Sequence, residues 1–204
     1  GQSGFGYLRF VLGGCLFQAA MFTAAASAMA VGQDVESGLV DRVRVLPGAT
    51  GGYVAGRLVT DVLRMSASIA ALLVVAWACG LDMAVGDVAW TVLWSLLAAA
   101  VLSLVTDGVI LMVPAPVSTA SSIQALEMLL LMFSTAFIPA TALDGSLRDV
   151  VRHMPFSPII EVIRAASPDA FPDSAGEEAA LWLGVAAVAG IVLFIRRFTS
   201  RSES

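Results

Sequence analysis

Lysine is absent from this chain, so arginine carries all of its basic charge. No run of those arginines is dense, and the net charge is −5, which excludes nucleic acid as a partner because phosphate binding needs a concentrated basic surface. A single histidine, His153, cannot build a conventional zinc site. Cys15 and Cys79 lie in apolar runs, with no Cys or His at ligand spacing, and read as small buried hydrophobes. There is also no G-x-x-x-x-G-K-[ST] loop, so the chain has no usual means of holding ATP phosphates.

What is abundant is apolar surface. With 58% hydrophobic and 13% charged residues and a mean hydropathy of +0.88, the chain has more of it than a soluble domain of this size can bury. It belongs in a membrane as an all-α polytopic protein. A helix needs about 20 apolar residues to cross ~30 Å of hydrocarbon. Five stretches meet this need: Tyr7 to Val31, Leu58 to Cys79, Val88 to Val113, Val117 to Pro139 and Ala179 to Ile195.

Arginine placement sets the expected orientation. Arg42, Arg44, Arg57 and Arg64 cluster around the first connection, and Arg196, Arg197 and Arg201 follow the last span, so both regions and the C-terminus are expected in the cytoplasm. "GLDMAVGD" carries only acids and belongs outside, "VPAPV" is an inner turn, and residues 140–178 fall outside by alternation. Trp77, Trp90 and Trp182 stand near the outer ends, as interfacial aromatics do. This alternation puts residue 1 outside, and the chain begins with Gly. The expectation is a six-span subunit whose first span lies upstream of the sequence shown.

The connection at residues 32–57 is too polar to cross a bilayer. From Gln33 to Leu46, Val35, Leu39, Val43 and Leu46 recur at the spacing of one helix face. Asp34, Glu36, Asp41, Arg42 and Arg44 fill the rest, and Pro47, Gly48, Gly51 and Gly52 stop the helix before "GRLVTDVLR" restarts a span. Asp61 and Arg64, three apart, pair at the interface. The mixed charge of the short helix suits an anionic lipid surface poorly, so a protein partner is favoured over headgroups.

In order along the chain come an acid pair (Asp34, Glu36), Gly38, an R-x-R-x-L-P run (Arg42, Arg44, Leu46, Pro47), a Gly-Arg pair (Gly56, Arg57) and a D-x-x-R motif (Asp61, Arg64). A later outer segment, "FIPATALDGSLRDVVRHMPFSPIIEVIRA", has a proline-containing start, a P-x-S-P turn and a closing Arg. In these features the whole chain resembles the ABC-2 type export permeases, in particular the daunorubicin-resistance group that includes mycobacterial lipid-export subunits. It departs from that group in having no Trp between the outer prolines.

The resemblance implies one transmembrane domain with a type V exporter-like fold in the inner (plasma) membrane. It also implies a coupling helix at residues 32–57 that docks on a separate ABC ATPase subunit through Asp34, Glu36, Gly38, Asp41, Arg42, Arg44 and Pro47. ATP and Mg would bind that partner, and no cofactor would bind this chain. A second permease copy, or a related one, would complete the transporter. The cargo would be a lipid or glycolipid, or alternatively an amphipathic drug leaving by multidrug efflux. Residues 140–178 would hold short re-entrant helices over the exit, with Pro139, Pro155, Pro158 and Arg164 as the outer gate.

Within the spans, Glu127 stands near mid-depth with Gln124 about one turn before it, and a carboxylate there costs roughly 2.5–3.5 kcal/mol. It must face protein or water, and with Gln18 and Gln124 it marks a cavity or subunit interface. A structural carboxylate at that interface is favoured over a proton relay, because no second intramembrane acid or histidine accompanies it. Asp107 lies nearer the inner end, where water reaches it. A secondary transporter would need inverted repeats, and an intramembrane enzyme would need a catalytic constellation; neither is present in the sequence.

Overall fold

The computed structural model describes residues 2–46, 48–132, 156–165 and 175–199, and every element within them is helical. In chain order they are α1 (Gln2–Glu36), α2 (Leu39–Val45), α3 (Ala49–Ala78), α4 (Val85–Ile110), α5 (Pro116–Met132), α6 (Phe156–Ala165) and α7 (Ala175–Thr199). Four of them (α1 from Leu8, α3, α4, and α7 over Gly176–Arg197) are long and apolar enough to cross a membrane. The expected span Val117 to Pro139 appears as α5 as far as Met132, and its remainder lies outside the described residues.

The central post is α1. Leu16, Phe17, Ala20, Ala24, Ala28 and Val31 recur three or four apart along it and are fully buried against the other helices. By contrast, α3 and α7 are apolar on nearly every face and expose Val59, Leu63, Val74, Trp77, Leu181, Val185 and Val188, the pattern of helices whose outer side meets lipid. Small residues let α4 and α7 touch: a Cβ on Gly190 would come within 2.9 Å of Leu104 Cγ and 3.1 Å of its carbonyl oxygen.

At 35 residues, α1 is about 52 Å long, well beyond the ~30 Å of hydrocarbon. Its last turns therefore carry Gln33, Asp34 and Glu36 as a continuation of the span, where a separate helix over Gln33 to Leu46 was expected. Continuing α1 keeps backbone bonds that a break at Val31 would lose, and the chain turns only at Gly38, with φ +73°, where other residues would be strained. Gly51 and Gly52 do not stop a helix either; after a second left-handed glycine, Gly48, α3 begins at Ala49 and runs through both. The buried anchor of α2 is Val40, while Leu39, Val45 and Leu46 are exposed. The expected face is thus rotated, because the fresh start at Leu39 resets the helical register.

Two further expectations are corrected. Cys79, which follows the last residue of α3, is exposed rather than buried, since that helix is peripheral. Asp107 is buried at 3% exposure, because α1 covers the face of α4 that carries it.

Candidate functional site

The helix ends sort into two groups. One contains α2, the last turns of α1 and α7, the first turns of α3, and the α4–α5 turn. Asp34 is its hub: it accepts a hydrogen bond from Tyr53 Oη at 3.0 Å and forms an ion pair with Arg57, tying α1 to α3. The Arg57 guanidinium also lies 5.6 Å from the Tyr53 ring centre. Arg44 reaches across α2 to donate to the Arg197 carbonyl of α7. Asp41 stands 3.5 Å from Arg44 and 3.9 Å from Arg197. Glu36 accepts from the Val117 backbone N–H of α5 at 3.4 Å.

Of the residues expected to meet an ATPase, Asp34, Arg44, Glu36 and Asp41 therefore all make contacts inside the chain, and Gly38 makes the turn. Glu36, Asp41 and Arg42 are exposed, beside the apolar Leu39, Val45 and Leu46. Pro47 lies outside the described residues. Sequence reasoning did not single out Tyr53, whose aromatic ring one turn before Arg57 was the available signal.

At the opposite end, Arg9 of α1 stands 3.9 Å from Asp87 and donates to the Asp82 carbonyl at 3.4 Å, holding the acidic α3–α4 loop. Here α6 wedges between α1, α4 and α7, with Pro158, Ile159, Ile160, Val162 and Ile163 buried. Arg164 donates from Nε to the Phe10 carbonyl at 3.0 Å and lays its guanidinium 3.7 Å from the Phe10 ring centre. Burial draws this guanidinium down to about 10, against the opposing pull of Glu161, so it stays a cation at neutral pH. Pro139 and Pro155, with the rest of the expected outer gate, lie outside the described residues.

Between these ends, Gln18, Gln124 and Glu127 line one recess between α1 and α5, with Met21, Phe22, Ala25 and Met128. Gln18 of α1 thus comes together with Gln124 and Glu127 of α5. Deeper in the bundle, Ser27 Oγ donates to Asp107 Oδ2 at 2.9 Å, and Asp61, 2% exposed, is within 3.3 Å of Arg64.

A model of the family described as "ABC-2 family transporter protein" matches residues 2–196. No curated protein and no solved structure matches the chain.

Proposed function

The chain belongs to the ABC-2 transporter family, and from that premise we propose that it is the permease subunit of an exporter whose ATP is hydrolysed by a separate subunit. The observation that carries this reading is the wiring of α2. A small charged helix, presenting Leu39, Val45 and Leu46 outward, is joined by polar contacts or adjoining chain to α1, α3 and α7, while Glu36 beside it bonds to α5. Force applied to α2 by closing ATPase subunits would reach α1, α3 and α7 and, through Glu36, α5. A helix bound only to headgroups has no need of such anchoring.

In this reading the α2 end faces the cytoplasm, and the recess of Gln18, Gln124 and Glu127 opens toward cargo and a second permease copy. There Glu127 sits with Gln18 and Gln124 beside Met21, Phe22 and Met128, an arrangement that keeps a carboxyl on a span against protein rather than lipid. A lipid or glycolipid is the proposed cargo. The test is co-expression with candidate ABC ATPase subunits, followed by co-purification and vesicle transport against a lipid and drug panel. The Glu36→Ala, Arg42→Ala double variant is expected to lose the ATPase while remaining folded; a stable, fully active complex in that variant would overturn the proposal.

A further inference from the structure

We infer that the cavity where α3 turns into α4 holds the headgroup of a zwitterionic phospholipid, with its ammonium group between Trp77 and Asp82. The inference stands apart from the exporter reading and needs only that α3 and α4 cross a membrane. The cavity measures about 260 Å³, and Trp77, Asp82, Leu73, Leu81, Met83 and Val88 are among the residues that line it. By contrast, the recess beside Glu127 and the notch beside Arg164 each measure about 10 Å³, room for a single water. Local contacts fix the cavity's shape. Gly80, with φ +86°, turns the chain after α3, the Leu81 N–H donates to the Ala76 carbonyl at 3.0 Å, and Leu81 is buried. Arg9 holds the loop from α1 through the Asp82 carbonyl and the Asp87 carboxylate. The Asp82 carboxylate is left over: the residue is exposed, and its side chain has no ion pair or hydrogen bond among the described residues.

The chemistry of the walls selects the occupant. A carboxylate repels an anion, and a calcium or magnesium ion demands about six oxygens or more, whereas the side chains around Asp82 are apolar or aromatic. An ammonium group carried on an apolar molecule satisfies both, meeting the carboxylate by charge and the indole face by cation–π attraction. The neighbouring charge points to a phospholipid. Arg9 stands 3.4 Å from the Asp82 carbonyl, and Met83 is a wall common to this cavity and to the notch that Arg9 lines. A cationic group therefore lies beside the anionic one, which complements a headgroup whose phosphate adjoins its ammonium. Depth agrees as well: Trp77 is 77% exposed in the last turn of a spanning helix, where indole rings sit at headgroup level.

The test is lipid titration of the purified full chain in maltoside detergent, with bound lipid counted by native mass spectrometry. Phosphatidylethanolamine is compared with phosphatidylglycerol of the same acyl chains, which keeps the phosphate and lacks the ammonium. Phosphatidylethanolamine is expected to bind about fivefold more tightly. Asp82→Asn and Trp77→Leu, both at exposed positions, are each expected to remove most of that preference. Glu177→Gln removes an exposed acid in the first turn of α7, away from the cavity lining, and is expected to keep it. Equal binding of the two lipids, a preference that survives Asp82→Asn or Trp77→Leu, or one that is lost in Glu177→Gln would each overturn the site. Free ethanolamine that binds as tightly as the lipid would overturn it too, by assigning the cavity to a small organic cation.

Discussion

The two ends of the bundle hold their helices together with different chemistry. At the α2 end, part-exposed ion pairs and hydrogen bonds from Asp34, Arg57, Arg44 and Glu36 ring a buried apolar patch that includes Val31, Val40, Ile110 and Phe194, while Leu39, Val45 and Leu46 stay exposed. At the α6 end, apolar side chains are driven between helices, and one arginine closes over an aromatic ring. Polar contacts at a wet surface can be exchanged for others at little cost, whereas a packed wedge cannot leave without opening a void. On the proposed reading, the first end is the one to be gripped and moved, and the second is the one to stay closed.

That contrast breaks first at the wedge. Ile160, fully buried, should cost about 2–5 kcal/mol on Ile160→Ala, read by chemical unfolding in detergent and insensitive to salt. Next, Gly13→Ala sets a Cβ 2.3 Å from Arg164 Cγ and should cost about 1–3 kcal/mol. Adding Arg164→Ala should recover part of the Gly13→Ala loss in a double-mutant cycle, since the clash goes with the side chain.

At the other end, Arg57→Ala leaves Asp34 with Tyr53 as its remaining donor and should cost about 1.5–3 kcal/mol. This deficit should shrink at high salt, because the lost pair is part-exposed and screened; a salt-independent deficit would erase the proposed difference between the ends. Smallest in stability, Val45→Ser with Leu46→Ser should stay within about 0.5 kcal/mol of wild type. The same pair should abolish co-purification with an ATPase, which separates a docking surface from a structural one.

Much of the fold was legible along the chain, for local reasons. Long apolar runs demand helices in a bilayer because every backbone group must be satisfied internally, so the long helices could be located, although α3 begins at Ala49 rather than Leu58 and α5 is described only to Met132. Asp61 with Arg64 was legible because three positions make one helix face. The turn at Gly38 was visible as a glycine, but not where α1 would end, because that depended on whether the span continued into the polar stretch.

Sequence by itself therefore determined the membrane class, the helices and the polar connection, since hydropathy and backbone bonding act over a few neighbouring residues. Tertiary structure alone decided that Asp34 meets Arg57 and Tyr53, that Ser27 meets Asp107 from 80 positions away, and that α6, in a segment expected to hold short re-entrant helices, is wedged among α1, α4 and α7. Those outcomes depend on which helix faces pack together. Helices that are apolar on nearly every side carry no stripe to announce their neighbours.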